Sequence, residues 1–251
     1  MKTVLTIAGS DPTSGAGIQS DLLTIYQNGA YPFSVVTSIT SQNAKGVTAR
    51  FDLEENIVRS QLYTLLQTYS PDAIKVGMLG SARNCRAIYD VLMVRYPDEH
   101  SRPPIVLDPV LISSDGKALM DDEGVDFMVE KLLSIVTLLT PNLMEFEQIF
   151  NAKNTLDIHH PPCNILIKGG HAKGDCTDRL ILKSGETFSW SSPRIKTSYD
   201  HGTGCTLSAA IAAHLASGKT LNESIRLAKL YLTEGLDHPV IFDCGFGAIR
   251  K

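Results

Sequence analysis

Short apolar segments alternate with segments of helical spacing along nearly the whole sequence, and this order constrains the fold more than any other feature. Runs typical of β-strands cover residues 2–8, 31–39, 73–76, 103–107, 134–139 and 164–168, and a hairpin pattern covers 179–182 and 186–190. Helical spacing covers residues 17–28, 53–68, 84–95, 121–133, 143–150, 205–217 and 221–237. Strands that alternate with helices form βαβ units, whose strands are parallel and whose helices cover both faces of the sheet. We therefore predict a mostly parallel α/β fold, with residues 1–251 in a single domain.

The composition excludes several classes of protein. The 251 residues are 43% hydrophobic and 20% charged, which is typical of a soluble globular chain. A net charge of -4, with scattered Lys and Arg, argues against a nucleic-acid partner. No apolar run reaches about 20 residues, so we expect no membrane span. The five cysteines are odd in number and form no C-x-x-C pair. Neither a disulfide framework nor a zinc site is expected, and a cytoplasmic location is predicted.

Polar or glycine-rich segments follow the predicted strands. In chain order they read GSDPTSGAG, TSITSQN, KVGML, LDPV, TPNLMEFE and KGGH. Ligands of open α/β sheets bind beyond the carboxyl ends of the strands. These segments together predict a cleft for a polar small molecule at that edge.

The first of these segments matches two nucleotide-binding patterns only in part. GSDPTSG has the glycine spacing of a P-loop, but Ala16 stands where that pattern requires lysine. GAGIQS approaches the dinucleotide pattern, but Ser20 replaces its last glycine. Both interpretations are therefore disfavoured. Asp21 follows near the start of a predicted helix, where a carboxylate also has the purely structural role of complementing the helix dipole.

The segment HGTGC opens a second predicted helix. Gly202 and Gly204 permit backbone angles closed to other residues, and the N–H groups that begin a helix bind phosphate. Cys205 stands at the same helix end, whose positive field is expected to lower the pKa of the thiol. A thiolate there would accept a proton from an alcohol that attacks phosphorus. The alternative is that Cys205 is a small buried residue.

The segment TPNLMEFE leaves two interpretations equally open. Asn142 and Glu145 offer oxygen ligands suited to magnesium held through water and phosphates. The same pair also fits a capping box, with Asn142 at the N-cap and Glu145 three residues later. Asp108 is a further acid at the same predicted sheet edge.

Seven segments, taken in order, resemble the signature segments of hydroxymethylpyrimidine/phosphomethylpyrimidine kinases. They are TIAGSDPTSGAGIQSDL, TSQNAKGV, KVGML, LDPVL, LLTPNLMEFE, IKGGH and HGTGCTLSAAIAAHLASG, and they extend from Thr6 to about Glu234. The resemblance implies a ribokinase-like fold and the transfer of phosphate from ATP, with Mg²⁺, to 4-amino-5-hydroxymethyl-2-methylpyrimidine and then to its monophosphate. These are reactions of thiamine biosynthesis. Pyridoxal kinase of the same superfamily is the alternative activity.

The resemblance also implies roles for individual residues. Asp21 and Gln42 would hydrogen-bond the aminopyrimidine, and Met78 and Gly9 would lie against it. Cys205 would be the catalytic base. The anion hole would be formed by Gly202, Thr203 and Gly204, and the nucleotide phosphates would be met by Asp108, Asn142, Glu145 and Lys168, with Glu145 and Asp108 as metal ligands.

The sequence departs from the family pattern in four places. DPTSG stands where DSSGG is common, and NAKGV replaces the more usual NTxGV. The segment 151–163 is short, and FDCGFGAIRK lacks the common ending. These departures bear on the lid and on oligomer contacts. The resemblance implies a homo-oligomer, with a dimer as the expected form.

Overall fold

A computed structural model describes residues 1–43, 45–113, 116–151, 158, 160–169, 176–192, 195, 197, 199, 201–243 and 246–251. Within these residues a single nine-stranded sheet has the order β3-β2-β1-β4-β5-β6-β7-β8-β9. The strands are β1 (Lys2–Ser10), β2 (Ala30–Asn43), β3 (Gly46–Asp52), β4 (Ala73–Val76), β5 (Ile105–Leu107), β6 (Leu138–Leu139), β7 (Asn164–Ile167), β8 (Cys176–Ile181) and β9 (Thr187–Ser192). The six central strands pair in parallel, and in spatial order they are β2, β1, β4, β5, β6 and β7. At the two edges the pairing is antiparallel, by β3 on one side and by β8 and β9 on the other.

Helices cover both faces of this sheet, which confirms the predicted fold class. They are α1 (Gly17–Gln27), α2 (Glu55–Thr68), α3 (Ala82–Arg95), α4 (Asp122–Glu130), α5 (Leu143–Phe150), α6 (Thr203–Ala216) and α7 (Leu221–Asp237). One core packs α2, α3 and α4 on the sheet, and a second core packs α1, α6 and α7 on the opposite face. That residues 1–251 form a single domain stays a prediction.

The face that carries α1, α6 and α7 changes from apolar to polar along the strands. At the level of the core it presents Val4, Ala73, Val106, Leu138 and Leu166. Side chains alternate between the two faces with a period of two residues. Two positions further toward the carboxyl ends, the same face therefore presents Thr6, Lys75, Asp108, Thr140 and Lys168. All of these polar groups lie at the predicted ligand-binding edge.

Helix α6 lies on this face through small side chains. Its buried residues include Ala209, Ala210, Ala212, Ala213 and Ala216, none of which is more than 4% exposed. Short side chains let the helix axis approach the sheet closely, because interaxial distance depends on the residues at the contact. The start of α6 is thereby held above the polar carboxyl ends of the strands.

The structure corrects several predicted bounds. Strand β2 continues to Asn43 and turns back as β3, a largely exposed edge strand with little apolar pattern. The predicted strand 134–139 shortens to β6, because a 3₁₀ helix occupies Leu132–Ile135. Strands β10 (Val240–Ile241) and β11 (Gly247–Ala248) form a separate hairpin that the sequence did not indicate.

Two other sequence-based points concern loops and membranes. Most of the predicted connecting loop 151–163, namely 152–157 and His159, lies outside the described residues. Every described helix is too short or too polar to traverse a lipid bilayer.

Candidate active site

Three charged side chains converge where β5, β6 and β7 end. The ammonium of Lys168 lies 2.7 Å from Oδ1 of Asp108 and 3.9 Å from Oε2 of Glu145. The hydroxyl of Thr140 donates to Asp108 at 3.2 Å. Asp108 and Glu145 are buried, with 2% and 6% of their surface exposed. The sequence-based expectation that Asp108, Glu145 and Lys168 share one edge of the sheet is met by this geometry.

The first turn of α6 lies directly above this cluster. A β-carbon at Gly204 would come within 3.0 Å of Oδ2 of Asp108 and 3.2 Å of Nζ of Lys168. Gly202 is the N-cap and has a positive φ of 83°, so it adopts the left-handed conformation that glycine favours. The first N–H groups of a helix have no partner inside that helix. Among the described residues, none accepts a hydrogen bond from the amides of Thr203, Gly204 or Cys205.

The first loop packs against this helix start. A β-carbon at Gly202 would collide with the carbonyl of Gly15, and one at Gly15 would collide with the ring of His201. His201 in turn lies 3.0 Å from Oδ2 of Asp11. Burial acts against the charge of Asp11, but hydrogen bonds from His201, Gln42 and Thr13 lower the pKa of its carboxyl below the usual range. The Gly202–Gly204 segment and the first loop therefore form one wall of the site.

The expectation for the thiol of Cys205 is wrong. Burial raises the pKa of Cys205 above its ordinary value, and the charges of Asp21 and Asp108 add to that rise. Lys75 and the backbone N–H of Gly17 act in the opposite direction without reversing it. The cost of desolvating a thiolate outweighs the groups that favour it here. The thiol is therefore protonated at neutral pH in the ligand-free protein.

Asp21 forms a buried ion pair that the sequence did not reveal. Its Oδ2 lies 2.7 Å from the ammonium of Lys75 and 2.6 Å from the hydroxyl of Thr6, and all three side chains are 0% exposed. Burial opposes the charge of Lys75, but Asp21, Cys205 and Asp108 together raise the pKa of the ammonium. Asp21 also lies beyond the first turn of α1, so the helix-dipole interpretation is not supported. The other oxygen, Oδ1, has no partner among the described residues.

The remaining substrate-binding candidates lie along β1, β2 and β4. Gly9 and Met78 are neighbours, because a β-carbon at Gly9 would overlap the terminal methyl group of Met78. The carbonyl of Met78 accepts from the hydroxyl of Thr37 at 2.6 Å, which fixes this turn beside β2. Gln42, near the end of β2, lies close enough to Asp11 of the first loop to help lower the pKa of its carboxyl. The structure thus places Gly9 against Met78, and Gln42 against the first loop.

Asn142 and Glu145 form the capping box that was one of the two open interpretations. Oδ1 of Asn142 accepts from the backbone N–H of Glu145 at 2.9 Å, and Oε2 of Glu145 accepts from the backbone N–H of Asn142 at 2.8 Å. Burial raises the pKa of Glu145 to about 7, against the pull of the Lys168 ammonium. The amide oxygen of Asn142 is thus directed to α5, and Glu145 is the stronger ligand candidate of the two.

The described carboxylates fit magnesium in a limited way. No group of three or more His, Cys, Asp or Glu side chains among the described residues is arranged to hold a metal ion. Magnesium does not need such a cage, because it commonly keeps several waters and binds one or two carboxylates together with substrate phosphates. Asp108, next to Gly204, and Glu145, on the other side of the Lys168 ammonium, supply two carboxylates, which matches that donor set.

Sequence reasoning missed Lys75, Thr140, His201 and Lys251 as members of this region. Lys75 carried a usable signal, because a lysine inside the otherwise apolar strand AIKV requires a buried partner. The other three residues gave no local signal.

Comparisons with known proteins agree with the geometry. Residues 11–250 match the family described as "Phosphomethylpyrimidine kinase". The hydroxymethylpyrimidine/phosphomethylpyrimidine kinase of Haemophilus influenzae is 34% identical, over 98% of this chain and 95% of that protein. The protein of the same name from Rhizobium meliloti is 38% identical, over 91% and 88% of the two chains.

Solved structures give the same fold. A phosphomethylpyrimidine kinase from Clostridium difficile has a TM-score of 0.77 and 34% identity, over 93% of this chain and 99% of that one. A pyridoxal kinase from Bacillus subtilis, solved as an ADP complex, has a TM-score of 0.86 and 28% identity, over 100% and 97% of the chains. The fold is thus shared by two kinases, and sequence decides between them: this chain belongs to the phosphomethylpyrimidine kinase family.

Proposed function

We propose that this protein phosphorylates 4-amino-5-hydroxymethyl-2-methylpyrimidine with ATP, and then phosphorylates the monophosphate to the diphosphate. The observation that carries the proposal is the placement of the Asp108–Lys168 pair beneath Gly204, at the open start of α6. A cation, together with backbone N–H groups that have no acceptor among the described residues, provides what a migrating phosphoryl group needs. Membership of the phosphomethylpyrimidine kinase family indicates which molecule accepts the phosphate.

In the first transfer, the hydroxyl oxygen of the pyrimidine attacks the γ-phosphorus of ATP, and the bond from that phosphorus to the bridging oxygen of ADP breaks. The amides of Thr203, Gly204 and Cys205 and the ammonium of Lys168 are placed to stabilise the charge on the transferred group. The Cys205 thiol first releases its own proton to solvent, and the thiolate then takes the hydroxyl proton of the acceptor. Because the thiol pKa is raised, the thiolate is scarce at pH 7 but strongly basic once formed.

Recognition of the ring is proposed for Asp21, Gln42, Met78 and Gly9. The unpartnered Oδ1 of Asp21 is an acceptor, and the 4-amino group is a donor of matching type. Met78 offers an apolar contact, and Gly9 leaves room for the methionine side chain. A ligand without such a donor would leave the Asp21 carboxylate unsatisfied, so binding of that ligand is disfavoured.

Magnesium would be held by Asp108 and Glu145 together with the nucleotide phosphates, and it would neutralise phosphate charge. The Lys168 ammonium lies 2.7 Å from Asp108 and 3.9 Å from Glu145, so it offsets the repulsion between the two carboxylates. Asn142 keeps Glu145 in place through the capping box.

Pyridoxal kinase is the second candidate, because the pyridoxal kinase of Bacillus subtilis has the higher TM-score, 0.86 against 0.77. The backbone likeness does not separate the two acceptors. Purified protein with ATP and Mg²⁺ should show a higher kcat/KM for the hydroxymethylpyrimidine than for pyridoxal. The opposite order would replace the first candidate with the second.

Cys205→Ser tests the proposed base in the same assay. It should bind the alcohol normally and lower kcat by roughly 10²–10⁴-fold, the usual effect of losing a general base. Wild-type turnover in Cys205→Ser would remove the thiol from the mechanism.

The dimer and the cytoplasmic location stay predictions. Light scattering on the purified protein measures the first, and fractionation of the producing cells measures the second.

A further inference from the structure

The ammonium of Lys251 reaches the helix start that is proposed to hold the phosphoryl group. Nζ of Lys251 donates to Oγ1 of Thr206, the residue that follows Cys205. The Thr206 hydroxyl itself donates to the carbonyl of Gly202 at 2.9 Å, so its oxygen is oriented to accept from the lysine. Lys251 is therefore within one residue of the proposed base, although 45 residues separate it from Thr206 in the sequence.

The segment that carries Lys251 is packed closely onto α7. Strands β10 and β11 form a hairpin, and Ile249, just beyond it, is buried with 2% of its surface exposed. The backbone N–H of Arg250 donates to the carbonyl of Gly235 at 3.2 Å. A β-carbon at Gly235 would come within 2.5 Å of the carbonyl of Arg250, so a side chain at 235 would push this segment away. The position of the lysine is thus set by the packing of the two residues that precede it.

Within the part of the chain that the structure describes, the ammonium of Lys251 has a neutral partner. Among the described residues, no acidic side chain lies within 4.0 Å of its ammonium, and its hydrogen-bond partner is the neutral hydroxyl of Thr206. Burial lowers the pKa of Lys251 to about 8, although Cys205, Asp21 and Asp11 favour its charge from a distance. A partly buried cation with a neutral partner is costly unless an anion joins it. This ammonium is therefore suited to a substrate anion.

The two proposed acceptors differ in their need for such a cation. The first acceptor is a neutral alcohol, which must lose a proton. The second is a phosphate monoester, whose second pKa is about 6, so its attacking oxygen is already ionised at neutral pH. The second transfer thus needs no base, but it brings two anions, the acceptor phosphate and the γ-phosphate of ATP, into contact. A cation between or beside them offsets that repulsion.

We propose that Lys251 is a specificity-determining residue, which binds the phosphate of the monophosphate substrate and favours the second transfer over the first. The inference rests on the proposed function and assigns Lys251 to one of its two acceptors, the monophosphate. In this step a phosphate oxygen of the monophosphate attacks the γ-phosphorus of ATP, the bond to the bridging oxygen breaks, and ADP leaves with that electron pair. No proton transfer to Cys205 is required.

Lys251→Met removes the charge and keeps a long side chain, and Lys251→Arg restores a cation. Arg250→Met is the matched control, because it removes one positive charge from the neighbouring, exposed residue. Steady-state kinetics with each acceptor, and calorimetric binding of each acceptor without nucleotide, are measured for all four proteins.

Lys251→Met should raise the KM and the calorimetric Kd for the monophosphate about 10–100-fold, the usual effect of one charge-assisted hydrogen bond. Both constants for the alcohol should change less than about 3-fold, since a neutral acceptor makes no ion pair. Lys251→Arg should recover most of the monophosphate affinity, and Arg250→Met should match the wild type.

Two outcomes would overturn the inference: equal losses with both acceptors, or unchanged monophosphate binding in Lys251→Met. Equal losses would show that the lysine supports the fold or the nucleotide. The wild-type kinetics test the proposed function separately. A wild-type protein that turns over neither pyrimidine contradicts that function before any variant is compared.

Discussion

The two ends of α6 allow a controlled test of the helix start. Gly202 at the N-cap has a φ of 83°, and Gly218 just past the carboxyl end has a φ of 79°, so alanine meets the same backbone strain at both. That strain costs about 1–2 kcal/mol for a residue with a β-carbon. The surroundings differ, however. Nothing lies within 4 Å of a β-carbon at Gly218, whereas one at Gly202 would fall well under 3.0 Å from the carbonyl of Gly15.

Gly202→Ala should therefore destabilise the protein more than Gly218→Ala does. Gly218→Ala should lower the free energy of unfolding by about 1–2 kcal/mol, the strain alone. Gly202→Ala should add about 1–3 kcal/mol, since the first loop or the helix start must move to relieve the overlap. Urea denaturation of both variants measures the difference.

The kinetic consequence separates the two positions more sharply. A movement of about 1 Å at the start of α6 misplaces the amides of Thr203 and Gly204, and misplacements of this size cost roughly 10²-fold in rate. Gly202→Ala should therefore lose about two orders of magnitude in kcat with the alcohol, while Gly218→Ala keeps the wild-type kcat. Equal kcat values in folded samples of both variants would refute the assignment of these amides to the phosphoryl group.

Three further predictions concern charged groups. Lys75→Met should lower the free energy of unfolding by about 3–5 kcal/mol, because it leaves the Asp21 carboxylate buried and unpaired, and adding Asp21→Asn should recover part of that loss in thermal denaturation. Lys168→Met removes the cation 2.7 Å from Asp108, so kcat/KM for ATP should fall at least about 10-fold in assays at saturating pyrimidine, and an unchanged value would contradict its placement. The pKa of Lys251 is lowered to about 8, against about 10.4 for an unfolded lysine, so the unfolded chain binds more protons in this interval. The free energy of unfolding of the wild type should accordingly rise between pH 8 and pH 10, and urea titrations of Lys251→Met should lack that component.

The strand ends show what could be predicted from the sequence. Asp108 and Lys168 each follow a short apolar run, and parallel strands bring such positions to one edge whatever the loops between them do. The glycines of HGTGC signalled an open helix start for the same local reason. These predictions succeeded because the pattern of apolar residues alone determines which end of each strand is shared.

The pairings between distant residues could not be predicted. The Asp21–Lys75 pair joins residues 54 positions apart, and the sequence around Asp21 does not indicate its partner. The predicted direction of the pKa shift of Cys205 was wrong for a related reason. A local rule gave the field of the helix start, but burial raises the pKa of the thiol, and the charges of Asp21 and Asp108, both remote in sequence, add to that rise. Strand β3 was missed because most of its residues are exposed and carry no apolar alternation.

Because α6 packs through alanines, a small change in that packing can tilt the whole helix. Its 14 residues span about 21 Å, and its sheet-facing side rests on methyl groups for most of that length. One additional methyl group under Ala213 that tilted the axis by about 5° would displace the opposite end by more than about 1 Å. Substitutions three turns away from the reacting atoms can thus alter turnover while every residue named in the chemistry stays unchanged. Laboratory evolution of this enzyme for a new acceptor has adjustable positions in the packing beneath the helix as well as in the pocket.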